Sequence, residues 1–386
     1  MNAFTISSQQ AAKVIAGILF DELSGEFKRY IDFLTAASWT GDTPIGANGI
    51  GLDAAERAHC AAAVERFFGL EGAIDPTLGA VVADWADRIE TAAMRDLRRL
   101  RFKPGGRSGA AAVVEHAAAA VYKDAAAAAN LLHGRRRIVS LVAPHGLIAF
   151  VTTVLAANLL RIESIDARGR ALDELRDMLQ FGDALVATPT IWRYLISDGL
   201  RAPDNVIGVA FGETLAPELG AEMRKSGFGA IRELYGSTET GLVAWRDTLS
   251  EPFTLFEHWR RDGDGIVRVN PVGETAFSSM DQLDWSDTRS FRLGPRRDGA
   301  VQVGAVNVFP DQIAATIRAH PSVAACEVAV MRQADGVNRL VARLRLKRGE
   351  QLNERAARDI DAWCRTQLRP PERPRIYSFE EPVAGE

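Results

Sequence analysis

From Arg137 onward, short β-branched runs alternate with helix-patterned ones, and this alternation constrains the fold more than any other feature of the chain. Ile138–Ala143 reads as a strand followed by an apolar helix. Ala184–Ala187 is a second strand, followed by Pro189 and a helical Ile191–Ile196. Val206–Phe211 is a third, with a helix from Pro217 to Lys225. Ile231–Leu234 is a fourth and runs into Tyr235-Gly236-Ser237-Thr238-Glu239-Thr240-Gly241. Strands separated by helices pair in parallel, because a crossover of that length returns the chain in the same direction. Ligands of such sheets gather beyond the carboxyl ends of the strands, and the heptapeptide falls there. It packs two glycines, three aliphatic hydroxyls and one carboxylate into one turn. Such a turn can offer hydroxyls and backbone N–H groups to a phosphate, and a carboxylate to a cation.

At 386 residues the chain is too long for one ordinary domain. Residues 1–95 carry helical spacing, as in Ile15, Leu19, Leu23 and Phe27. Asp53 is placed to cap a helix from Ala54 to Phe68. The phrase Gly51-Leu52-Asp53-Ala54 looks like a carrier-protein motif, but Ala54 stands where the pantetheine-bearing serine would be, so a capped helix is the reading. The Ala-rich stretch 117–129 favours helix. Residues 251–295 are turn-rich and expected to be antiparallel. From Arg296-Arg297-Asp298-Gly299 a distinct segment begins, with strands at Ala300–Val306, Cys326–Met331, Leu340–Leu346 and Ile376–Phe379. Helices are expected at Asp311–Arg318 and Glu354–Leu368, and no regular structure in the Pro-rich 369–374. The expected division is a helical region 1–95, an α/β core 96–297 and a small α+β domain 298–386.

Hydrophobic content of 47% and charged content of 25% are those of a water-soluble globular chain. A formal charge of −4 gives no basic footprint, so nucleic acid is not the expected partner. Three separated cysteines without a CxxC argue against a zinc site or a disulfide framework, and with no signal-like N-terminus point to the cytoplasm. The longest apolar run, Leu147 to Leu160, is shorter than the roughly 20 residues of a membrane span. A buried helix is expected there, and no membrane. A homodimer is allowed but nothing in the sequence requires it.

The heptapeptide YGSTETG resembles the core motif of the adenylate-forming superfamily, which includes acyl- and aryl-CoA ligases. The resemblance covers Phe102 to Val383. It implies an α/β large domain with parallel sheets flanked by helices, plus a small, truncated α+β C-terminal domain. Pro144-His145-Gly146 is similar to the family's aromatic/His motif beside the acyl pocket. Phe211-Gly212-Glu213-Thr214-Leu215 stands in the place of its adenine-binding strand end. Within Tyr235, Gly236, Ser237, Thr238 and Glu239, the resemblance gives Thr238 to the α-phosphate and Glu239 to Mg²⁺. Asp281 stands where a ribose-binding Asp is expected, and Arg296 and Asp298 match the linker Arg and the hinge residue.

Two departures accompany these matches. The family's phosphate loop reads roughly TSGSTGxPK, whereas here Gly105-Gly106-Arg107-Ser108-Gly109-Ala110-Ala111-Ala112 has lost most hydroxyls and the lysine. The family's catalytic lysine lies on a loop after the last strand, and no lysine follows Lys347 in this sequence. A donor of that kind contributes roughly 10²–10³-fold in rate. The expectation from these departures is a protein that acts without ATP on activated acyl groups: hydrolysis of an acyl or aryl thioester of CoA or a carrier protein. His145 or Glu239 would be the base, and no cofactor would be required. The alternative is an ATP-dependent acyl/aryl-CoA ligase that binds ATP or AMP with Mg²⁺, in which Lys103 and Arg107 stand in for the missing cations. A third reading is a non-catalytic acyl-binding partner. Smaller expectations are that His116 caps or packs a helix start, and that Arg135–Arg137 is a solvated basic loop.

Overall fold

A computed structural model describes residues 5–104, 113–247, 251–270, 273–303, 306–332, 338–348 and 354–379. The departures in the phosphate loop at 105–112 and the chain end at 380–386 lie outside the described residues. Contacts divide the chain into two compact units. The larger holds Met1–Pro104, Ala112–Phe277 and Trp285–Phe291; the smaller holds Ser278–Asp284 and Arg292 onward.

The larger unit begins with helices α1 (Ser8–Gly25), α2 (Ala54–Phe68) and α3 (Val82–Asp96). Asp53 caps α2 as its sequence requires: its carboxylate accepts from Glu56 N–H, and the Glu56 side chain accepts from Asp53 N–H. Strands β1 (Arg99–Phe102) and β2 (Val114–Ala117) pair antiparallel, with Phe102 opposite Val114, and so bracket the phosphate-loop sequence. The Ala-rich run forms α4 (Ala118–Leu131).

The main sheet is built from β3 (Arg137–Ser140), β4 (Glu163–Asp166), β5 (Asp183–Ala187), β6 (Ile207–Ala210), β7 (Ala230–Ser237), β8 (Gly241–Arg246) and β9 (Phe253–Leu255). Their order is β4-β3-β5-β6-β7-β8-β9. The strands from β4 to β7 run parallel, and β8 and β9 are antiparallel. Strands β5 and β6 are buried along their whole length, as strands covered on both faces must be. Leu172–Met178 forms α5; α6 (Pro189–Ser197) and α7 (Pro217–Lys225) both carry proline at the start, where its missing N–H costs nothing. Trp192 of α6 is fully buried and donates from Nε1 to Val209 O at 3.0 Å. It is therefore core, locking α6 onto β6.

Leu147–Ala149, a π-helical Phe150–Leu155 and Ala156–Leu160 follow one another as the expected buried helix. Its two Thr hydroxyls are satisfied internally, Thr152 on Ile148 O and Thr153 on Ala149 O. Among the described residues no helix is long and apolar enough to cross a membrane. Strands β10 (Trp259–Asp262), β11 (Gly265–Asn270) and β12 (Gly273–Phe277) form an antiparallel sheet, as the turn-rich sequence implies. The chain then passes through β13 (Asp281–Trp285) and β14 (Ser290–Arg296).

The smaller unit packs a hairpin, β15 (Val301–Val303) and β16 (Val306–Val308), helix α8 (Pro310–Arg318), strands β17 (Val323–Arg332) and β18 (Asn338–Leu346), helix α9 (Glu354–Gln367) and β19 (Ile376–Phe379). Strand β18 lies between antiparallel β17 and parallel β19. The Pro-rich run departs from expectation in one detail: Pro370–Glu372 makes a single 3₁₀ turn, closed by the Arg369–Glu372 pair. All three cysteines are buried and unpaired.

Candidate active site

The order of the parallel strands reverses between β3 and β5, so their carboxyl ends flank the crevice where such sheets bind ligands. The loop after β3 carries Pro144-His145-Gly146, and β5 leads through the cap Thr188 into Pro189 and Thr190, the first turn of α6. The loop after β6 carries Phe211-Gly212-Glu213, and β7 runs through Tyr235, Gly236 and Ser237 into the signature turn. The loops are tied together. Thr190 donates to Glu213 Oε2 at 3.0 Å. Buried Glu233 of β7 accepts from Leu215 N–H at 2.8 Å and from Arg246 at 2.8 Å. Burial pushes its carboxyl up, against the pull of Arg246. Phe211 is 8% exposed. Tyr235 packs into an aromatic cluster with Phe253 and Phe291, at centroid distances of 5.7 and 5.6 Å.

The turn itself is a hairpin between β7 and β8. Ser237 Oγ accepts from the N–H groups of Glu239 and Thr240, both at 3.2 Å. Thr240 Oγ1 accepts from Ser237 N–H at 3.1 Å. These bonds absorb Ser237 and Thr240 into the scaffold. Thr238 Oγ1 and the exposed Glu239 carboxylate have no partner among the described residues. That unspent pair suits one phosphate oxygen and one hard cation, because Mg²⁺ keeps most of its ligands as water and phosphate and asks the protein for one or two carboxylates. No group of three His, Cys, Asp or Glu that could hold a metal alone occurs among the described residues.

His116 corrects its sequence reading. It lies in β2, ahead of α4, and donates from Nε2 to Thr238 O at 2.7 Å. Burial lowers its basicity. The basic run is corrected as well: Arg137 forks onto fully buried Asp183 at 3.0 and 2.6 Å, and Arg135 donates to Asn205 O.

His145 sits where the sequence put it, at the start of the buried helix, but α1 holds it. Its Nε2 donates to Asp21 at 2.7 Å, and its buried Nδ1 has no hydrogen-bond partner among the described residues and lies against Gly17. Both ring nitrogens thus face the N-terminal helix. The next residue of α1, Glu22, is 5% exposed, accepts from His59 at 2.7 Å and pairs with Lys103. Burial pushes both carboxyls up, but the bonds to His145, Lys103 and His59 outweigh it and hold both below the usual range. A carboxylate depressed in the fold adds stability above its unfolded pKa, near 4, that is lost as pH falls through the folded value. Between about pH 4 and 2, stability should therefore drop less steeply in a D21N/E22Q double variant than in wild type. Unfolding midpoints across that range measure it.

In the smaller unit Arg296 forks onto Asp298 at 2.9 and 2.7 Å and reaches Asp281 at 3.7 Å. The Arg296 bond is the main reason that the Asp298 carboxyl lies below its usual range. Sequence reasoning missed Asp21, Asp124, His258 and Arg268. The available signal was charge where pattern forbids it: Asp124 inside an alanine run, Arg268 inside Ile266-Val267-Arg268-Val269.

A reversed parallel sheet with this hydroxyl–carboxylate turn at its carboxyl end is the arrangement that the resemblance to the adenylate-forming superfamily implies. Comparison agrees: the chain is similar to curated ligases and, in fold, to solved structures of the adenylate-forming superfamily. It is 29% identical over 331 residues to a 4-coumarate–CoA ligase of Halorhodospira halophila, covering 84% of this chain and 83% of the relative. A 4-coumarate–CoA ligase of Rhodobacter capsulatus is 27% identical over 311 residues, covering 76% and 78%. Among solved structures, a malonyl-CoA ligase complex superposes with a TM-score of 0.58 at 17% identity over 74% of this chain and 71% of that one. The amide bond synthetase McbA from Marinactinospora thermotolerans gives 0.57 at 16% identity, over 72% and 65%. No protein-family model matches the chain.

Proposed function

We propose that the protein is an ATP-dependent, AMP-forming ligase that joins an acyl or aryl carboxylic acid to CoA. One observation carries this reading: among the described residues the Thr238 hydroxyl and the Glu239 carboxylate have no hydrogen-bond partner, on a turn whose Ser237 and Thr240 hydroxyls are committed to holding it. Thr238 would hold the α-phosphate and Glu239 its Mg²⁺. ATP supplies the adenylyl group that makes an inert carboxylate reactive toward a thiol. Phe211, Gly212 and Glu213 are assigned to the adenine, with Tyr235 and Gly236 forming the floor beside it. The two relatives named as 4-coumarate–CoA ligases support an aryl acid as substrate.

Thioester hydrolysis has less support. A general base needs a nitrogen aimed at water, and His145 directs one to Asp21 and buries the other on Gly17. The relatives also carry ligase names. The deciding experiment supplies ATP, Mg²⁺ and CoA with a panel of carboxylic acids that includes 4-coumarate. Pyrophosphate release that depends on the acid is expected. Release of CoA thiol from an acyl-CoA without ATP, and no pyrophosphate from any acid, would reverse the assignment.

A further inference from the structure

Beneath the signature turn lies a knot of charge that the proposed reaction does not touch. Asp124 of α4 is 1% exposed, Arg268 of β11 3% and His258 5%. Asp124 accepts from His258 Nε2 at 2.8 Å, from Arg268 Nη2 at 2.7 Å and from Leu242 N–H at 3.1 Å. Arg268 donates onward, from Nη1 to Thr240 O at 3.0 Å and from Nη2 to Ala120 O at 2.6 Å. Stability alone is a poor reason for such a knot, because apolar residues of the same shape often replace a buried ion pair without loss. Its connections give a better one. Arg268 grips the Thr240 carbonyl, and His116, from β2, grips the Thr238 carbonyl. In a trans peptide the C=O and N–H point opposite ways. Fixing those two carbonyls from below therefore fixes the 238–239 and 240–241 peptide planes, and with them the direction in which Thr238 and Glu239 project.

We propose that Asp124 and Arg268 are positioning residues, which hold the Thr238–Thr240 turn in the one arrangement that receives the nucleotide phosphate and its Mg²⁺. The ligand in this statement rests on the ligase reading; the clamping of the turn does not.

The test uses the full chain and the variants R268K and D124N. Lysine keeps a positive charge beside Asp124 but cannot bridge Asp124, Ala120 O and Thr240 O at once. Hydrogen exchange is measured first, without ligand. The amides of residues 239–242 in R268K should exchange about tenfold faster or more, with those of β6 unchanged. Steady-state kinetics follow: KM for ATP should rise about tenfold, with KM for the acid within about twofold of wild type. D124N should change both in the same direction, and it decides the matter alone if R268K does not fold. Unchanged exchange across the turn, or equal rises in both KM values, overturns the proposal. A wild-type protein that binds neither AMP nor ATP·Mg²⁺ in a calorimetric titration removes the ligase reading instead, and the exchange data still report whether the turn is clamped.

Discussion

Replacing Gly236 or Gly241 by alanine is expected to destabilise the larger unit by about 3 kcal/mol or more, among the largest effects of any single methyl in this chain. At Gly236 the added carbon would overlap the Gly241 carbonyl oxygen on the paired strand and lie 3.1 Å from both the Gly241 carbonyl carbon and Ile148 Cδ1. The first two are backbone, which cannot swing aside. At Gly241 two costs combine. Its φ is +81°, a conformation that L side chains rarely adopt. The new carbon would also overlap Asp124 Oδ2 and sit 2.9 Å from Arg268 Nη1, wedging open a buried ion pair. Urea titrations followed by tryptophan fluorescence read the result. Wild-type midpoints in both variants would mean that β7 and β8 do not approach as closely as described.

Thr238→Val and Glu239→Gln should behave in the opposite way. Both groups lack partners among the described residues, so stability should change by no more than about 0.5 kcal/mol. If the ligase reading holds, turnover measured as acid-dependent pyrophosphate release should fall by about 10²-fold or more in each, because groups aimed at developing charge contribute on that scale. In Glu239→Gln the loss should shrink as Mg²⁺ is raised, since the amide oxygen remains a weak cation ligand. Undiminished turnover in both variants would move the phosphate site away from this turn. Loss of stability together with activity would make the turn a structural hairpin.

Much of the fold was legible because its signals are local. Parallel strands buried on both faces must be unbroken apolar runs, and Ala184–Ala187 and Val206–Phe211 were visible as such. Proline marked the beginning of the helix at Pro217, and Asp53 marked that at Ala54. Strand Glu163–Asp166 escaped notice because Glu, Ser and Asp outnumber its one isoleucine, and it lies at the sheet edge where such residues are tolerated. The signature turn was legible as chemistry, and the resemblance assigned Thr238 and Glu239, yet which residues prop the turn was not legible. Ser237 and Thr240 look as available as Thr238 in sequence, and only the hydrogen bonds separate the props from the presenting groups. His145 was legible as the residue that follows strand β3, but its partner Asp21 lies 124 positions away, on a helix whose own pattern reads as packing. Pairings over such separations have no local signature.

The buried sulfur chemistry has a practical consequence for every assay above. Cys60 and Cys326 are pushed up to about 12 and about 11 by burial, so at neutral pH neither is a thiolate, and Cys364 is raised by the same cause. A thiol-trapping dye added to the native protein should therefore count added coenzyme sulfhydryls against a silent background. The same dye added during heating becomes a meter of unfolding, since three new equivalents appear when the interior opens.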